Sequence, residues 1–184
     1  MSIKGLEQAI ANLNSISEKA VPRASAQSVN RIAGQAVNRS VSVVSKSTRV
    51  PRKLVKQRAR IRRATVSKPR ALIRVNRGNL PAIKLGTASV RLSRRKRDKS
   101  GASSVLRIGP FRFPGAFIQQ LANGRWHLLR RTTRNRYPIE VVSIPLAVPL
   151  TEAFRTELPR LMDERMPEVM RQNLQNQLRL ILSR

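Results

Sequence analysis

Two runs of cations are the residues of this chain best placed to do chemistry. Arg49, Arg52, Lys53, Lys56, Arg58, Arg60, Arg62 and Arg63 form the first, and Arg94, Arg95, Lys96, Arg97 and Lys99 the second. Guanidinium groups grip phosphate or carboxylate oxygens two at a time, so the chemistry on offer is anion binding. Across residues 46–99 twenty lysines and arginines face a single acid, Asp98, and this stretch holds most of the +29 net charge of the 184-residue chain. Such a block repels itself and costs folding stability unless something neutralises it. A polyanion or an acidic protein surface is therefore the expected partner. Nothing in the block has the pattern of a helix-turn-helix or another base-reading module. Contact with nucleic acid is accordingly expected at the sugar-phosphate backbone, with little regard for sequence.

Other chemistry is thinly represented. His127, beside Trp126, is the only histidine and there is no cysteine, so no metal set of the usual His and Cys kind can be assembled. His127 is expected to be a structural or exposed strand residue. The acids Glu152, Glu157, Asp163, Glu164 and Glu168 are interleaved with Arg155, Arg160 and Arg165, the pattern of a salt-bridged helix face. The glycines at 78, 86, 101, 109, 115 and 124 are spaced as turns, not as a phosphate loop. These features predict a protein that is not an enzyme, with no catalytic residues, no cofactor and no metal.

The elements that must position the cations follow from periodicity. With 40% hydrophobic residues but only 3% aromatics, a core built on Leu, Ile, Val, Ala and Met is expected, in a single domain over 1–184. A broad base-stacking platform is excluded by the same scarcity. Ile3, Leu6, Ile10, Leu13 and Ile16 fall on one stripe of an amphipathic helix over 3–19. Val21-Pro22 should interrupt it, and a second helix over 23–46 carries the stripe Val29, Ile32, Ala33, Ala36, Val37, Val41 and Val44. These make up an N-terminal helical region, 1–46.

The basic segment, 47–104, opens on PRKLVKQRARIRR, a short helix or turn outside the core with Leu54 and Val55 as its apolar anchors. Strand-like alternations follow at 71–75 and 88–92, then an apolar-free loop at 94–101. A β-hairpin region, 105–148, is marked by the turns Gly109-Pro110, Pro114-Gly115 and Asn123-Gly124. Trp126 is expected to anchor its core. The C-terminal region, 149–184, reads as two helices broken at Pro159 and Pro167. Leu174, Leu178 and Ile181 on its stripe are candidate subunit contacts, because helix 2 and this stripe offer more apolar surface than a small sheet covers. No stretch has the length and apolarity of a membrane span.

Five stretches together carry a family resemblance: SIKGLEQAIANLNSISEKAVPRA, LVKQRARIRRATV, VNRGNLPAIKLG, PGAFIQQLANGRWHLLRR and NRYPIEVVSIPLAVPLTEAF. In this order and spacing the chain closely resembles the minor tail protein Z, or tail completion protein Z, family of lambda-like siphophages over essentially its whole length. The resemblance implies an α+β subunit with helices packed on a small antiparallel sheet; the residues themselves place those helices at the N-terminal and C-terminal ends and add a basic extended loop. It implies a homo-hexameric ring at the head-proximal end of the virion tail, assembled in the host cytoplasm. The implied partners are tail and neck proteins, including the tail terminator and head-tail connector proteins. Non-specific contact with genomic DNA fits the basic block. An alternative from the residues alone is a non-specific nucleic-acid-binding accessory protein in solution; a third reading has the block gripping acidic neighbouring proteins.

Overall fold

The structure, a computed structural model, describes residues 3–92, 104–133, 135 and 137–182. The chain forms two compact units, one from Met1–Val43, Ala59–Val75 and Leu150–Arg184 and the other from Val44–Arg58 and Asn76–Pro149. Helices at both ends and small antiparallel sheets make the fold α+β, as expected. The 94–101 loop lies outside the described residues.

In the first unit, α1 (Ile3–Ser15) runs through a π-helical turn (Ile16–Ala20) into α2 (Val21–Thr48), so the helical ladder does not stop at Pro22. The turn explains why. Its wider spacing lets the Val21 N–H reach the Ile16 carbonyl and accommodates the misfit that Pro22 would impose on a regular α ladder. The α2 stripe is buried as its period requires, with Ile32 and Ala36 packed against Leu161 and Val169 of α4 (Ala147–Leu182). Small residues on α2, among them Ala24, Ser28, Ala33 and Ala36, allow that approach. Ser28 Oγ donates to the Ala24 carbonyl at 2.7 Å and accepts from Asn173 Nδ2 at 2.9 Å.

The expected pair of C-terminal helices is one continuous helix, with Pro159 and Pro167 inside it. Each proline deletes one intrahelical bond, at a cost of about 3 kcal/mol in a helix interior. Both prolines are exposed, as are Arg155 and Asp163, whose carbonyls would accept from positions 159 and 167 in a regular helix. Leu158, Leu161, Met166 and Val169 meanwhile keep one buried stripe running past both, and that burial holds the helix together.

The first unit also contains an antiparallel ribbon, β1 (Ala59–Arg62) against β2 (Leu72–Val75). Ile73 packs on the Ile32–Leu161 cluster and fixes which face looks inward. Asn30 of α2 clamps the end of the ribbon, donating to the Ala64 carbonyl at 2.9 Å and accepting the Ala64 N–H at 2.7 Å.

The second unit includes α3 (Arg52–Lys56), whose Val55 is fully buried as the expected apolar anchor; Val50, just before the helix, is buried as well. β3 (Leu80–Pro81) pairs with β10 (Ser143–Ile144). β4 (Ala88–Leu92), β5 (Ser104–Ile108) and β6 (Phe111–Pro114) form one sheet, and β7 (Ala116–Gln120), β8 (Trp126–Arg131) and β9 (Ile139–Val141) another. Ala82, Leu106, Ile108, Ala116 and Leu128 form the core between them. The Asn-Gly turn is present as expected. Gly124 takes φ +72°, its N–H donates to the Leu121 carbonyl, and Asn123 Oδ1 accepts from the Arg125 N–H.

Trp126 is not a core anchor. It starts β8 opposite Gln120, beside the turn, and is 57% exposed, while Leu128 and Leu129 fill the interior. Position at the strand end outweighs the apolar bulk of the indole.

Candidate polyanion interface

Register decides where the first run of cations points. On the ribbon, Arg60 stands opposite Arg74 and Arg62 opposite Leu72, while Ala59, Ile61, Ile73 and Val75 occupy the half-buried face. Arg60, Arg62 and Arg74 are therefore side by side on the exposed face. Cβ atoms of directly opposed strand residues are only about 5 Å apart, so Arg60 and Arg74 repel each other. Neither makes an ion pair among the described residues, and nor do Arg62, Arg63 or Arg70. The link between the strands turns back through reciprocal Thr65 and Lys68 backbone bonds of 3.0 and 3.2 Å, and adds exposed Arg63, Lys68 and Arg70. An anion seated between the opposed guanidiniums would convert their repulsion into two attractions.

In the second unit, Arg52, Lys53 and Lys56 are exposed on α3, and exposed Arg49 precedes them with φ +56°. Arg58 is differently placed. It is half-buried, and its Nη2 donates to the Asn79 carbonyl at 2.9 Å, while its own carbonyl accepts from the Asn76 N–H at 2.8 Å. It braces the 76–79 turn. A further opposed pair, Arg107 and Arg112, lies across β5 and β6. Sequence reasoning passed over it, although a two-residue Gly109-Pro110 turn pairs 108 with 111 and hence 107 with 112. Arg94, Arg95, Lys96, Arg97 and Lys99 lie outside the described residues.

The remaining candidates fall elsewhere. Leu174, Leu178 and Ile181 are half-buried on α4. Arg160 Nε donates to Glu164 at 2.8 Å, and this bond holds the Glu164 carboxyl below its ordinary range. Arg39 approaches Glu157 at 4.0 Å and Glu168 accepts from Gln172 at 3.1 Å, so these acids serve the helix surface. Among the described residues no three His, Asp or Glu side chains gather as a metal site would need. His127, half-buried on β8, has its Nδ1 buried with no hydrogen-bond partner among the described residues. No helix among the described residues is long and apolar enough to cross a membrane.

An exposed arginine face on a short ribbon, packed on helices through small residues, is a surface suited to contact with anions, and the family to which the chain belongs is one of structural tail proteins. The family is specific. Residues 3–184 match the family model described as prophage minor tail protein Z, and the chain belongs to that family of phage minor tail proteins. It is 79% identical, over the whole of both chains, to a protein of Escherichia phage N15 named tail completion protein. It is 55% identical, again over the whole of both, to the tail completion protein Z of Escherichia phage lambda. No solved structure matches.

Proposed function

We propose that this protein completes the head-proximal end of a phage tail and helps join tail to head, as a hexameric ring that sets its arginine faces toward the end of the packaged DNA. It acts by binding, without catalysis. The observation that carries this reading is the exposed face of the β1–β2 ribbon, where Arg60 and Arg74 oppose each other and no acid among the described residues pairs with either. Such a face gains most from a partner that brings regularly spaced anions, and duplex DNA presents one phosphate per about 1.7 Å of its axis. Repetition around a ring would multiply weak contacts into a firm one. The tail terminator and head-tail connector proteins are the neighbours proposed for the rest of the surface.

The test is the position and copy number of this chain in assembled particles. Antibody or gold labelling at the head-proximal end of the tail, with about six copies per particle by quantitative mass spectrometry, is the expected result. Label along the tail shaft, or a single copy, would overturn it. An accessory protein working in solution would instead coat DNA along its length and be missing from purified particles.

A further inference from the structure

α1 is turned the opposite way from an ordinary surface helix. Its small and polar residues Gln8, Ala11, Asn12 and Ser15 line a cleft of about 420 Å³ toward Gln177, Leu180 and Ile181 of α4. At 3.6 residues per turn, Leu6, Ile10 and Leu13 lie about 180° around the helix from that face. They are 63%, 50% and 64% exposed. The first unit also holds an unfilled groove of about 680 Å³ between α2, β2 and α4, with Leu72, Phe154, Leu158 and Met162 among its lining. Leu72 and Met162 are themselves exposed. One element thus offers an apolar helical stripe, and the same unit offers an apolar trough.

The stripe cannot reach its own trough. Leu13 precedes Ile32, on the α2 wall of the groove, by nineteen residues of unbroken helical ladder, a separation of about 28 Å with no loop in which to turn back. We infer that the Leu6–Ile10–Leu13 face of α1 docks in the Leu72–Phe154–Met162 groove of a second copy of this chain. Charge agrees with that occupant. Among the described residues the groove is lined by Arg70 and Arg155 and by no acid, while Glu7 sits at the margin of the stripe between Leu6 and Ile10. Stripe and groove are different surfaces, so the contact is head to tail. Such contacts propagate from copy to copy and close into a ring when the rotation permits. The inference deepens the ring reading proposed above and rests on it.

Because the chain has no cysteine, single thiols can be placed at will. Ile10→Cys and Met162→Cys are made separately and together in the full chain and oxidised, both in solution and in purified particles. Mixing the two single variants should give a cross-linked dimer, the double variant should give a ladder, and neither single variant should cross-link by itself. Glu7→Arg should reduce the yield roughly two- to fivefold, as for an ion pair at an interface rim, and Arg155→Glu in the partner should restore it. Circular dichroism of each variant separates loss of contact from loss of fold. A dimer from Ile10→Cys alone would overturn the proposal, because the stripe would then pack on itself. So would a photo-crosslinker at that thiol that captures a particle protein of another mass. An oligomer by mass measurement with no cross-link in the double variant would remove this contact and leave the ring standing. One copy per particle would remove both.

Discussion

Arg60 and Arg74 lie opposite one another on a ribbon that could have held a neutral pair, and this placement works against the fold. Like charges directly opposed on a sheet destabilise by roughly 0.2–1 kcal/mol. Arg74→Gln should therefore leave the isolated protein as heat-stable as the parent or raise its melting temperature slightly, while weakening its hold on DNA. A large fall in melting temperature would mean that Arg74 has a structural partner. Trp126→Ala gives a second prediction at this scale. With the indole 57% exposed, the cost should stay within about 1 kcal/mol, against 3–5 kcal/mol for a buried tryptophan. Thermal denaturation distinguishes the two. The exposure of Trp126 was not legible in the sequence, because an apolar aromatic in an alternating strand carries no mark of how far along the strand the core extends. The opposition of Arg107 and Arg112 was legible, since a two-residue turn fixes the register on both sides of it.

At the scale of elements, the strands and turns of the hairpin region followed from period-two alternation and from Asn-Gly and Gly-Pro pairs, signals written in a few adjacent residues, whereas β1 was missed because Ala59–Arg62 lies in the stretch expected as a basic helix or turn. The helix boundaries did not. Proline penalties at Pro22, Pro159 and Pro167 are local, but whether a helix breaks depends on a stripe tens of residues long that finds a partner, and on a π turn that absorbs the misfit. Pro159→Ala offers a direct check. It restores one intrahelical bond on the exposed side of a helix that is already continuous, and should stabilise the protein by about 1–3 kcal/mol in denaturant unfolding. A destabilised variant would show that α4 depends on the proline. The α1 stripe was visible as a periodicity, but its outward direction was not. Surplus apolar surface was expected on helix 2 and the C-terminal stripe, yet the helix 2 stripe is largely buried, and Leu6, Ile10 and Leu13 stand exposed instead. Amphipathicity fixes that a face exists; packing decides which way it looks.

For the whole molecule, membership of the minor tail protein Z family sets the biological context, and the basic faces are the surface proposed above to meet a polyanion. Binding of the isolated protein to DNA should be indifferent to sequence and fall steeply with salt. Neutralising about six phosphates gives a slope near −0.9 per contact in log affinity against log salt. A shallow slope, or a preference for one sequence, would contradict backbone recognition. In the particle, damage to the helices and damage to the ribbon face should fail at different steps. Polar replacements at Leu174, Leu178 and Ile181 remove burial worth roughly 1.5–3 kcal/mol for each fully buried side chain, less where burial is partial, and should block uptake into the tail.

The measurement that bears most directly on the central claim uses the triple variant Arg60→Gln, Arg62→Gln, Arg74→Gln, incorporated into particles and scored over a series of salt concentrations for this protein's presence in the tail and for the fraction of tails joined to heads. These side chains are exposed and contribute little to folding, so the tail should take up the variant as it does the parent. Joining to heads should be poor and should worsen steeply with salt, because the remaining contacts are screened within a Debye length of about 10 Å at 0.1 M. Joining and infectivity equal to the parent at every salt concentration would contradict the account and reduce the ribbon to solvated surface.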